Sequence, residues 1–326
     1  MSRSAVPPPV TAVMAAADDW LPVRLAEVER RLRALAAGHG VELGAEAEAT
    51  LSAGGKRLRP LLVLICAGPS SGPRAVRAAV AVELVHMATL VHDDVLDEAP
   101  VRRGRPTVVA RAGREAAVAV GDLLFSRAFA ELAVNDDGGE VAELSSASVA
   151  LARGELAQRR DAYDTSLPEA RYLRRCELKT ARLFEAACRV GWLASGRDGS
   201  DRLADFGREI GLAFQLLDDV LDVTGPPERT GKARGTDLLD GTVTLPLILA
   251  MRRDPELAEI DLRGLEPGEA ERICDRIAAT GVLDEVRARG RAGIERAKVV
   301  LRRESFSPTE RRLLGLIADG VVERYS

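Results

Sequence analysis

Asp93-Asp94-Val95-Leu96-Asp97 stands at the end of an apolar helical run, AVAVELVHMATLVH, and the same residue order returns at Asp218-Asp219-Val220-Leu221-Asp222 after IGLAFQLL. On a helix, positions four apart lie about 40° from each other, so Asp93 and Asp97 share a face and can bind one cation. Acidic side chains packed at the end of a buried helix are costly unless something positive neutralises them. A single triplet of this kind reads as a solvated helix end; two copies, each following an apolar helix, argue against that. Two such carboxylate faces set opposite each other would form a magnesium cage, because hard oxygen ligands suit Mg2+ and that ion shares its shell with phosphates.

Cations are clustered as well. Gly54-Gly55-Lys56-Arg57-Leu58-Arg59-Pro60 puts three cations and a flexible turn before a helix, and Arg102-Arg103-Gly104 follows the first acidic triplet by a few residues. Beside two acidic triplets, these suggest an anionic substrate held by Arg and Lys on one side and by metal on the other. His86 lies seven residues before Asp93, two helical turns along one face, so it can face a ligand. Two other phosphate motifs fail by counting. Between Gly225 and Gly231 stand five residues, and Ala233 follows Lys232 where a P-loop needs Ser or Thr. Gly38, Gly40 and Gly44 miss the dinucleotide-binding spacing and follow a helix, not a strand.

These residues need helices to hold them. Leu21, Leu25, Val28, Leu32 and Leu35 recur at three- and four-residue steps, the period of one apolar helix face, and similar runs fill nearly every window from Asp18 onward. The breaks are short Gly/Pro/Asp clusters, with no alternating strand pattern between them. Aromatic residues are 3% of the chain and the apolar content is mainly Ala, Leu and Val, which favours helix over sheet. The expectation is one all-α domain over residues 18–326, preceded by a disordered leader over residues 1–17 that contains Pro7, Pro8 and Pro9 and lacks a signal-peptide pattern. Thr224 to Gly241 is the longest irregular stretch, the length at which loops inside compact folds are often functional lids.

Composition excludes several classes. With 46 Lys and Arg against 50 Asp and Glu, the net charge of −4 speaks against a nucleic-acid-binding surface, and 46% hydrophobic residues exclude a mostly disordered chain. Cys66, Cys176, Cys188 and Cys274 form no C-x-x-C pair, which points away from a zinc site or disulfide framework and toward the cytoplasm. No uninterrupted apolar stretch reaches the length of a transmembrane span, about 18 residues.

The sequence resembles the trans-isoprenyl diphosphate synthase (polyprenyl synthetase) family. The resemblance rests on GGKRLRP at Gly54–Pro60, VHDDVLD at Val91–Asp97, RRGRPT at Arg102–Thr107, GDLLFSRA at Gly121–Ala128, GELAQ at Gly154–Gln158, KTARLF at Lys179–Phe184, FQLLDDVLD at Phe214–Asp222 and TLPLI at Thr244–Ile248, in that order. It implies an all-α isoprenoid synthase fold, a helical bundle around a central active-site cavity, and a homodimer. The implied reaction condenses isopentenyl diphosphate with an allylic diphosphate, Mg2+-dependent and head to tail. By position, the resemblance makes Asp93, Asp94, Asp97, Asp218, Asp219 and Asp222 metal ligands. It gives the allylic diphosphate to Arg102, Lys179, Thr180, Gln215 and Lys232, with Lys179 and Lys232 offsetting leaving-group charge. Lys56, Arg59, His86 and Arg103 would hold isopentenyl diphosphate.

One departure stands out. Many family members carry Lys after the glycine that precedes Thr-Leu-Pro, whereas here Gly241 is followed by Thr242. In the family the residues four and five positions before the first aspartate set the cavity floor, and here they are the small Thr89 and Ala88. Together with the lack of a two-residue insertion in the first motif, this implies geranylgeranyl or longer products. The alternatives are a farnesyl diphosphate synthase, a terpene cyclase and a non-catalytic partner subunit. The intact second D-D-x-x-D and the GGKRLRP site weigh against the last two.

Overall fold

The computed structural model describes residues 8–37, 45–47, 49–50, 57–102, 104–197, 201–225, 234–303 and 306–323. Its first half comprises helices α1 (Pro8–Ala16), α2 (Trp20–Ala37), α3 (Leu58–Ala67), α4 (Gly72–Leu96), α5 (Val108–Ala133) and α6 (Gly138–Arg160). A short α7 (Glu169–Cys176) runs through a π-helical turn, Glu177–Ala181, into α8 (Arg182–Ala194) and then α9 (Asp201–Thr224). The remainder is α10 (Thr236–Leu239), α11 (Leu245–Met251), α12 (Pro255–Ala258), α13 (Pro267–Ala279), α14 (Val282–Arg303) and α15 (Pro308–Glu323). The expected all-α fold is what the chain adopts.

Residues apolar on all sides become the centre of the bundle. From Pro60 to Ala67 on α3 and from Ala78 to Val85 on α4 every residue is buried, as expected of helices without a polar face. By length and composition Pro69–Leu96 could cross a membrane, but 72% of its most apolar 18-residue stretch is buried inside the fold, the pattern of a core helix. A first apolar cluster joins α1 to α6, α8 and α15 with the first part of α9. A second gathers α7, the end of α9 through Leu216, Val220 and Val223, and α10 to α13. Helix α9 therefore runs through both, and its aspartates lie on the part that meets the second.

Two features depart from the sequence expectations. Residues 8–16, expected within a disordered leader, form α1, which packs on α15 with Val10 and Val13 buried. Its prolines sit in the first turn, where a missing N–H costs nothing, and Val10, Val13 and Met14 supply an apolar face. Residues 1–7 lie outside the described residues. The second is a two-stranded hairpin, β1 (Val101–Arg102) paired with β2 (Arg105–Pro106), turning at Gly104 with φ +73°. It reverses the chain between α4 and α5, and Thr107 then caps α5 by accepting from the Ala110 N–H at 3.2 Å.

Candidate active site

Helix α4 ends at Leu96 with Asp97 as its cap, the Asp97 N–H donating to the Asp93 carbonyl at 2.8 Å. Asp93 and Asp97 face a cavity of about 490 Å3 whose lining also includes Gln215, Asp218 and Asp219 of α9. Lys179 enters from the π-turn; its Nζ lies 2.5 Å from Glu155 Oε2 and 3.9 Å from Asp93 Oδ2. Such a turn inserts an extra residue into a helix and re-aims the side chains after it. Arg159 of α6 donates to Asp97 Oδ1 at 3.2 Å.

A relay of hydrogen bonds crosses the opposite wall. Thr180 Oγ1 donates to Gln215 Oε1 at 2.7 Å, Gln215 Nε2 to Asp219 Oδ1 at 2.8 Å, and the Tyr172 hydroxyl to Asp219 Oδ2 at 2.6 Å. Burial raises the Asp219 carboxyl to about 8, with Asp237 adding to the effect and the two donors opposing it. Burial likewise lifts Asp93 to about 6, against the pull of Lys179. Burial works against the Lys179 ammonium too, but Asp93 and Glu155 outweigh it and hold its pKa above the ordinary value.

The lining carries seven carboxylates and four cationic side chains. Among the described residues no three His, Cys, Asp or Glu side chains converge on one point. The seven carboxylates are hard oxygen donors of the kind that hold Mg2+, an ion that takes part of its shell from water or phosphate oxygens. The residues present therefore suit the expected ion.

Of the residues singled out in the sequence, Asp93, Asp97, Arg102, Lys179, Thr180, Gln215, Asp218 and Asp219 meet at this cavity. Asp94 is 5% exposed, accepts from Arg102 Nε at 2.5 Å and lines a smaller adjoining cavity. The hairpin returns Arg102 to it. Asp222 is outside the lining and accepts the Asp237 N–H at 3.2 Å, fixing the start of α10. Arg59 lies over the Phe184 ring, 4.4 Å from its centroid, and neither it nor the half-buried His86 lines the cavity. Ala88 is fully buried and Thr89 half-buried; near Asp93 the α4 lining residue is Leu90 instead. Lys56, Arg103 and Lys232 lie outside the described residues.

Arg57, counted among the three cations of GGKRLRP, takes a different part. It is 7% exposed, at φ +48°, and donates to Glu29 at 2.5 Å and Glu83 at 2.6 Å. It is a buried ion-pair centre joining α2, α3 and α4. Sequence reasoning assigned nothing to Glu155, Arg159, Tyr172, Arg175, Asp237 or Asp240, all of which line the cavity. The signal for the first two was present: Glu155, Gln158, Arg159 and Ala162 follow the three- and four-residue steps of one helix face.

An all-α bundle with two aspartate-bearing helix ends and a π-turn lysine around one cavity defines the isoprenoid synthase class. The polyprenyl synthetase family model matches residues 41–274, and the chain belongs to that family. It is 43% identical over 252 residues to heptaprenyl diphosphate synthase component 2 of Geobacillus stearothermophilus, covering 76% of this chain and 78% of that one. It is 37% identical to the octaprenyl diphosphate synthase of Escherichia coli, over 82% of this chain and 85% of that one. A crystal structure of polyprenyl synthase from Caulobacter crescentus, complexed with calcium and isoprenyl diphosphate, superposes with a TM-score of 0.90 at 34% identity, over 100% of both chains. The chain is a prenyltransferase of the polyprenyl diphosphate synthase class.

Proposed function

We propose that the 490 Å3 cavity binds an allylic diphosphate and Mg2+ and elongates the prenyl chain with isopentenyl diphosphate, to geranylgeranyl diphosphate or longer. The observation that carries this reading is the meeting of Asp93 and Asp97 of α4 with Lys179 and with Asp218 of α9 around one cavity. Asp93, Asp97 and Asp218 are the ligands we assign to Mg2+, with Asp94, Asp219 and Asp222 behind them; bound there, the ion would act as a Lewis acid on the diphosphate. Lys179, its charge secured by Asp93 and Glu155, lies against the leaving diphosphate. Arg102, Thr180 and Gln215 orient that group, and Lys232 adds a further cation. Lys56, Arg59, His86 and Arg103 receive isopentenyl diphosphate. Its double bond attacks the allylic carbon as the carbon–oxygen bond breaks, and a proton is then lost. Leu90 and the apolar α4 residues below it exclude water from the cation.

Exposed apolar side chains on α5 and α6, Val118, Val149 and Leu156, with Val134 at the C-terminal cap of α5, support assembly as a homodimer. The four cysteines are buried free thiols, which suits a reducing cytoplasm. The name "component 2" of the Geobacillus relative supports a second reading, in which the same chemistry needs a further subunit.

The test is an extension assay with Mg2+ and labelled isopentenyl diphosphate, offering dimethylallyl, geranyl, farnesyl and geranylgeranyl diphosphates in turn. A product ladder ending at twenty or more carbons and abolished by Asp93→Asn supports the reading. Product stopping at fifteen carbons refutes the chain length. No elongation with any primer refutes activity of the chain alone.

A further inference from the structure

Among the described residues, the two most deeply buried arginines are held differently. Arg57 is held by two carboxylates. Arg175, at the end of α7 and 4% exposed, has a single described hydrogen bond, from Nη2 to the Val243 carbonyl at 2.5 Å. Its guanidinium carbon lies 5.5 Å from the Tyr172 ring centroid, and among the described residues its Nη1 has no hydrogen-bond partner. A buried guanidinium left this way carries a large desolvation penalty, unless an anion completes it. Its five donors suit a phosphate oxygen pair.

Arg175 lines the 490 Å3 cavity together with Thr242 and Thr244, the neighbours of the carbonyl it holds. Thr242 brings no charge at the position where many members of the family carry lysine. Arg175 also borders a second cavity of about 370 Å3, beside Arg160, Arg171 and Arg174. Those arginines already have acidic partners, Arg160 and Arg171 in Asp161 and Arg174 in Glu177. The bond to Val243 ties the Arg175 head to the wall of the larger cavity, where a diphosphate is to be bound.

We propose that Arg175 is a direct contact for the allylic diphosphate, supplying from α7 the positive charge that Thr242 does not. The inference rests on the function proposed above for this cavity. The contact belongs to the diphosphate of the allylic substrate, so its loss separates that substrate from isopentenyl diphosphate.

The test uses the full chain with Mg2+, inorganic diphosphate as calorimetric probe, and steady-state kinetics with each substrate varied. Arg175→Gln keeps an amide that can donate to the Val243 carbonyl and removes the charge. Its diphosphate Kd and its KM for the allylic substrate are expected to rise by about 10- to 100-fold, the range for a hydrogen bond to a charged group, with the KM for isopentenyl diphosphate within about twofold. Adding Thr242→Lys to Arg175→Gln is expected to restore most of the diphosphate affinity, which a purely structural role would not allow. If Arg175→Gln lowers the Tm and leaves both allylic parameters within about twofold, Arg175 only holds the Val243 segment and the proposal is overturned. Equal weakening of diphosphate by Arg171→Gln would place the anion in the neighbouring cavity and also overturn it. A wild-type chain that neither elongates nor binds diphosphate would overturn the parent reading as well, and that result precedes any variant.

Discussion

Replacing Gly154 by alanine tests whether the position of Lys179 is set by the approach of two backbones. A Cβ at Gly154 would lie 2.6 Å from the Lys179 backbone N, 2.9 Å from its Cα and 3.0 Å from the Leu178 carbonyl carbon. Ordinary contacts begin near 3.4 Å, so α6 and the π-turn must separate by about 0.8 Å. None of these atoms belongs to a flexible side chain, and the strain cannot be relieved by rotation. On the far side Gly211 of α9 meets the π-turn as closely, its Cβ position being 2.5 Å from the Ala181 Cα. The turn is clasped between two helices and can move only by displacing Lys179 and Thr180.

Overpacking of this kind costs about 1–3 kcal/mol, or roughly 2–12 °C in Tm at about 2–4 °C per kcal/mol. Catalysis should suffer more, since a 1 Å misplacement can cost about 100-fold. The expected result is a kcat lower by about 10- to 100-fold, an unchanged helical circular dichroism spectrum and a KM for isopentenyl diphosphate within about twofold. Gly315→Ala on α15 is the control: nothing lies within 4 Å of its Cβ position, and the change should be neutral or stabilise by up to about 1 kcal/mol. A Gly154→Ala enzyme with wild-type Tm and kcat would refute the argument that this backbone contact positions the lysine.

Arg57→Met should lower stability by about 3–5 kcal/mol, because it strands the buried Glu83 carboxylate, and Glu83→Gln in the same chain should recover part of the loss; denaturant unfolding measures both. Thr89→Phe, at a half-buried position on the Asp93 face, and Ala88→Tyr, at a fully buried one, should each shorten the main product, with the larger Tm loss for Ala88→Tyr; an unchanged product distribution in both counts against the chain-length reading. Chelation with EDTA should stop elongation and added Mg2+ restore it, and Mg2+ with diphosphate at about 100 times Kd should stabilise the chain by about 2.7 kcal/mol, read as a rise in Tm.

Asp93 and Asp97 were legible because their spacing repeats along one helix face, and a regular helix delivers that face to a cavity without help from the rest of the chain; Asp222, four residues after Asp218, was not, since it accepts the Asp237 N–H outside the lining. Asp94 was not, since its partner Arg102 reaches it through a hairpin whose turn depends on Gly104. Arg57 and Arg59 are two residues apart in one motif, yet one is locked between Glu29 and Glu83 and the other lies over Phe184. Nothing in the local sequence distinguishes them, because those partners come from α2, α4 and α8. Helix α1 was missed for the opposite reason: its prolines are breakers inside a helix and harmless in its first turn, and only the packing on α15 decides which applies.

The site is held together by contacts made at two levels. Gly154 and Gly211 let α6 and α9 close on the π-turn, and that closure sets Lys179 beside Asp93 and Thr180 beside Gln215. The same closure buries Asp93 and Asp219, and burial raises both carboxyls; the lining as a whole sets seven carboxyl groups against four cations. That imbalance is a reason for affinity: divalent cations and the diphosphate they accompany would relieve it, whereas an apolar ligand alone would not. Arg175 fits the same logic from the other sign. A cavity that must hold metal and diphosphate together needs unsatisfied groups of both charges, and burial keeps each of them waiting for its ligand and not for water.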